Sequence, residues 1–66
     1  MKDFTERLDF ITTKIQKDVP EEIAQGMTLE EWKLYIIVQI IINRLGWEQE
    51  EMDSIAEYIH NVYVRD

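Results

Sequence analysis

Cysteine is absent from the sequence, so neither a disulfide framework nor a thiolate metal site can staple the fold. Proline occurs once, at Pro20, and glycine twice, at Gly26 and Gly46, which leaves long stretches without a helix breaker. Basic side chains are scarce, 7 against 14 acidic ones for a net charge of −7. A surface this poor in cations cannot displace phosphate counterions, which argues against direct nucleic-acid binding. Long apolar runs are missing as well. The longest, Leu34 to Ile42 with only Gln39 interrupting it, would rise about 14 Å as a helix, roughly half the hydrocarbon thickness of a bilayer. The opening residues Met1-Lys2-Asp3-Phe4-Thr5-Glu6 mix both charge signs before any apolar stretch, a pattern unlike a signal peptide. The expectation is a cytoplasmic protein with no membrane partner.

What is present fits one small helical domain over residues 1–66. The chain is 45% apolar and 32% charged, which is globular composition. Phe4, Leu8, Ile11 and Ile15 recur at helical spacing and predict a first helix over 3–18. Asp3 and Glu6 suit the two ends of a capping box, Lys14 and Lys17 suit the negative pole, and Val19-Pro20 stops the helix. Pro20-Glu21-Glu22 opens a further short turn of helix, with Gly26 closing it. Thr28-Leu29-Glu30-Glu31 is a capping box for a helix over 28–45, and Met27 and Trp32 stand where a hydrophobic staple would place them. Arg44 falls in its last turn, and Gly46 is placed as a left-handed cap. A third long helix over 48–64 begins near Trp47, with Glu48, Glu50 and Glu51 at its positive pole. Its apolar stripe is Met52, Ile55, Ile59 and Val62, flanked by Ala56 and Tyr63. The architecture this predicts is all-α: a helical hairpin plus one more helix.

The central helix stands apart because it is apolar almost all round. Leu34, Ile37 and Ile41 point one way, Tyr35, Val38 and Ile42 about 100° further, and Ile36 and Ile40 opposite that second group. Two helices of about 15 residues cannot cover every side of a third. The predicted resolution is a homodimeric bundle through Tyr35, Val38, Ile41 and Ile42. The β-branched run from Ile36 to Ile42 also permits a strand, but no other segment offers a partner strand, and the flanking cap and glycine favour a helix.

Chemical motifs are sparse. Glu57 and His60 have the Glu-x-x-His spacing of di-iron bundles, yet Glu57 lies about 160° from Ile59 and so faces away from the core. His60 has no Ser or Cys nucleophile at a recognisable spacing. Asp53-Ser54-Ile55 resembles, over three residues, the Asp-Ser-Leu of acyl carrier proteins. That family places its serine at a helix start near mid-chain, whereas Ser54 sits twelve residues from the end within a helical stripe. These readings predict no enzyme activity, no metal and no cofactor.

The acidic excess is unevenly placed. Residues 1–20 balance four acids with four bases, residues 21–31 carry four acids and no base, and residues 48–66 carry six acids and one base. Glu50, Asp53 and Glu57 share one face of the last helix, opposite Ile55 and Ile59. Such a face either keeps a hydrophobic dimer soluble or steers a partner with a basic surface. Phe10, Trp47 and Tyr58, aromatic residues off the core stripes, are the second set of candidate contacts. The functional expectation is a small non-enzymatic regulator or inhibitor that binds another protein. A purely structural oligomerisation module is the alternative, and a carboxylate–histidine metal bundle the remote one.

Overall fold

The computed structural model describes residues 4–63, and every regular element among them is helical: α1 (Phe4–Asp18), α2 (Glu21–Gly26), α3 (Leu29–Asn43) and α4 (Gln49–Tyr63). Each of the three long helices matches an expected segment to within a few residues. The Asp3 cap of α1 lies outside the described residues. No helix among the described residues is long and apolar enough to cross a membrane.

Side-chain contacts fix the topology. Near the start of α1, Arg7 pairs with Glu51 in the first turn of α4. Trp32, in the first turn of α3, stacks on Tyr63 at the end of α4, with ring centroids 5.5 Å apart. Helices α3 and α4 therefore form an antiparallel hairpin, the most extensive pairing in the fold. Helix α1 runs alongside α4 in the same direction, and α2 turns the chain at the end where α1 stops and α3 begins.

The start of α3 follows its sequence signal closely. Thr28 Oγ1 accepts from the Glu31 amide at 3.1 Å, and the Thr28 amide donates to Glu31 Oε1 at 2.8 Å, closing the capping box. Met27 and Trp32 take the staple positions, Met27 packing on the core and Trp32 fully buried. Anchoring Trp32 inward sets the rotation of the whole helix, so Ile36, one turn on, is also fully buried. The core is Ile11, Ile15, Ala24, Trp32, Ile36, Ile55, Ala56 and Ile59, with no polar residue among them.

Several details differ from the sequence expectation. Helix α3 stops at Asn43, and Arg44 itself takes the left-handed cap (φ 54°), its amide donating to the carbonyls of Ile40 and Ile41. Asn43 Nδ2 donates to the Gln39 carbonyl at 2.8 Å, and this side-chain competitor for the backbone favours an early stop. Gly46 is left-handed too (φ 68°), but in the turn beyond the cap. Gly26 ends α2 without a positive φ, and Met27 forms an extended cap. Phe4 is 42% exposed although it lies on the α1 stripe. It sits a turn before Arg7, whose partner already occupies the first turn of α4, so no helix remains to cover it. Val62 is likewise exposed, because α4 must face two neighbours and its buried arc shifts toward Ala56.

The two glycines make opposite predictions from similar surroundings. A Cβ at either position meets nothing within 4 Å. At Gly46 only the left-handed backbone opposes it, so Gly46→Ala should destabilise by about 1 kcal/mol. At Gly26 alanine costs nothing in the folded state and restricts the unfolded chain, a gain of about 0.5 kcal/mol. Thermal unfolding should show Tm falling for the first variant and rising for the second; shifts of the same sign would contradict this account.

Candidate protein-interaction surface

With Trp32 and Ile36 turned inward, the opposite side of α3 is determined by helical geometry. Leu34, Val38, Ile41 and Ile42 follow the i, i+4, i+7, i+8 pattern of one face, and they are 63, 45, 69 and 66% exposed. Glu30 and Glu31 border this stripe at the start of the helix and Lys33 directly precedes it, with no charged side chain between the four apolar ones. Four large aliphatic side chains left this open on one helix form a patch of the kind that marks interaction sites.

Of the residues expected at a dimer interface, Val38, Ile41 and Ile42 belong to this stripe. Tyr35 does not. It is half-buried, packs on the core, and meets Trp32 edge-on with centroids 6.0 Å apart. Sequence reasoning left Leu34 out of this exposed face, although the staple carried the missing signal. Once Trp32 is fixed inward, the residues two, six and nine positions on must face outward.

The Tyr35 hydroxyl is buried without a hydrogen-bond partner among the described residues, as is Trp32 Nε1. Burial pushes the Tyr35 phenol above its ordinary value near 10, and the negative charge of Asp18 adds to the shift. A raised folded-state pKa gives a contribution that is fully present below pH 10 and lost as pH climbs through the higher folded value. Tyr35→Phe removes both the unpaired hydroxyl and this titration. The variant should be about 1 kcal/mol more stable at pH 7, and its advantage over the wild type should widen above pH 10. Urea denaturation at pH 7 and pH 10.5 checks both, and an advantage that narrows would refute the assignment.

The acidic face of α4 is laid out much as its spacing implied. Glu50 and Glu57 are exposed, and Asp53 is half-buried, its Oδ1 accepting from Gln49 Nε2 at 3.3 Å. Glu51 is directed elsewhere, pairing with Arg7 and accepting from the Glu48 amide at 3.3 Å to cap α4. His60 is half-buried and Ser54 exposed. Among the described residues no three His, Asp or Glu side chains gather as metal ligands would.

The aromatic residues off the stripes divide. Phe10 and Trp47 are half-buried and pack edge-on against one another, centroids 6.4 Å apart and planes at 73°. The Arg7 guanidinium lies 5.4 Å from the Trp47 ring centre and the Lys14 ammonium 5.6 Å from that of Phe10. This pair closes the end of the bundle where α1 passes the α3–α4 turn. Tyr58 is 50% exposed and lines a shallow groove of 350 Å³ between α1 and α4 with Leu8, Thr12 and Val62.

No protein-family model matches the chain, and comparison with curated proteins and with solved structures returns no significant match.

Proposed function

We propose that the protein is a non-enzymatic, protein-binding regulator that works as a homodimer: α3 joins two copies, and the acidic face of α4 meets a partner with a basic surface. The observation that carries this reading is the α3 stripe, four aliphatic side chains in an unbroken row. Hiding a large aliphatic side chain stabilises by roughly 1.5–3 kcal/mol, so eight of them, four per copy, supply an apolar driving force for association.

The surplus of negative charge supports the second half of the reading. Glu50, Asp53 and Glu57 lie on α4 away from its buried residues Ile55, Ala56 and Ile59, so they remain available to a partner. Tyr58, exposed on the same helix, is the aromatic contact nearest to hand.

Light scattering at micromolar concentration should give twice the 8.0 kDa chain mass. Replacing Glu50, Asp53 and Glu57 by Gln lowers the charge of each chain from −7 to −4 without touching the buried residues. Partner capture from native lysate should then fall, as it should for the wild type when salt is raised. Capture indifferent to both changes would reduce the protein to an oligomerisation module; a mass of one chain would remove the dimer.

A further inference from the structure

Tyr58 and Val62 of α4 and Leu8 of α1 line the groove between those two helices. This hollow of 350 Å³ adjoins a second of 310 Å³ toward the end of α1, the two sharing Gln16 and Tyr63. Together they follow α1 from Leu8 to Val19, roughly 16 Å of helix. The charge around this channel has one sign. Asp9 lines it near one end and Glu21 at the other, and no Lys or Arg is among the described residues that line either hollow. The Asp9 carboxylate has no hydrogen bond or ion pair among the described residues, and that of Glu21 accepts only from the neutral Gln25 Nε2, at 3.4 Å. Helix α4 carries no Lys or Arg, and Glu57, beside Tyr58, is exposed. Lys14 and Lys17 stand on the other flank of α1, with Phe10. The channel is therefore apolar along its floor and anionic at both ends.

Resting on the reading of a partner with a basic surface, we infer that the α1–α4 groove seats a cationic amphipathic helix of that partner, with its apolar side chains on Leu8, Tyr58 and Val62 and a Lys or Arg near each end on Asp9 and Glu21. A cleft between two helices receives a third through residues at i, i+4 and i+7, and about three turns fit this length. Covering the exposed Tyr58 and Val62 supplies the attraction, and the two separated carboxylates select the sign and spacing of the partner's charges. An acidic helix of the same shape would be repelled at both ends, which is how the groove discriminates. A second copy of this chain, itself at −7, is the poorer occupant. Further basic residues of the partner would lie toward Glu57, so the groove and the acidic face of α4 act as one surface.

The probe is a synthetic helical peptide of about three turns, with leucines at i, i+4 and i+7 and a lysine at each end, set against the same peptide with glutamates for the lysines. Titrated into the isotope-labelled chain, the lysine peptide should shift the amide resonances of Leu8, Thr12, Tyr58 and Val62. It should bind roughly tenfold more tightly than the glutamate peptide, two exposed ion pairs standing where the other has two repulsions. Asp9→Asn with Glu21→Gln should bring the two affinities together. Tyr58→Ser with Val62→Ser, both at exposed positions, should abolish the shifts while circular dichroism keeps its helical signal. Shifts confined to Leu34, Val38 and Ile41 on α3 overturn the groove. Lysine-dependent shifts at Glu50, Asp53 and Glu57 alone overturn it too, and leave the basic-partner reading standing. A lysine peptide that binds no better than the glutamate peptide overturns both.

Discussion

Trp32→Ala should remove a large part of the protein's stability at 25 °C. Trp32 is fully buried, stacks on Tyr63, meets Tyr35 edge-on, and closes the hydrophobic staple that orients α3. Truncating a buried tryptophan costs about 3–5 kcal/mol. A chain of 66 residues has a total stability of roughly 3–10 kcal/mol at about 0.05–0.15 kcal/mol per residue. The loss is therefore a large fraction of what keeps the chain folded, and all of it at the lower end of that range. Trp32→Phe is the informative contrast. It keeps a ring between Tyr35 and Tyr63 and removes the buried Nε1–H that has no acceptor among the described residues. Its cost should be about 1–2 kcal/mol, the cavity partly offset by the lost polar penalty. Trp47 survives in both variants as a fluorescent reporter for urea titration, so a folded Trp32→Ala protein with an unchanged midpoint would overturn the central place given to this residue.

The same tryptophan shows how much of the structure could be read beforehand. Helix starts were legible because they depend on local chemistry: Thr28, Glu31, Met27 and Trp32 lie within six residues and specify the start of α3 unaided. The end of that helix was less legible. Arg44 adopts a left-handed conformation that glycine would take more readily, and no pattern in the sequence announces it. Faces were legible in proportion to their contrast. Helices α1 and α4 alternate apolar and charged residues, so Ile11, Ile15, Ile55 and Ile59 stood out as core. Helix α3 has almost no such contrast, and its inward side is decided by the staple and by packing. That is why Tyr35 was expected outside and Leu34 was passed over. The pairing of Phe10 with Trp47 was hidden for another reason. It joins residues 37 positions apart across the turn after α3, and periodicity carries no information about contacts between elements.

In the proposed dimer, Ile41→Asp should separate the two copies while leaving their helices in place. Ile41 is 69% exposed in the single chain, so a carboxylate there reaches water and, set in the last turn of α3 at the negative pole of its dipole, should lower chain stability by only about 1 kcal/mol. In a dimer joined through this stripe the same carboxylate would be pressed among the partner's aliphatic side chains. Burying one unpaired charge costs several kcal/mol, and two-fold symmetry imposes that cost twice. Both costs act directly against association, so dissociation at micromolar concentration should be essentially complete. Two measurements read the outcome together. Light scattering should fall from two chain masses to one, and far-UV circular dichroism should keep its helical signal. Dimerisation is linked to folding by mass action, so the wild-type Tm should rise with protein concentration and that of Ile41→Asp should not. A variant that loses its helices along with its dimer would mean that the single chain cannot stand alone, and that the α3 stripe is part of the folding core. A variant that remains dimeric would place the contact between copies elsewhere, with the exposed Tyr58 and Val62 on the α1–α4 groove as the next surface to change.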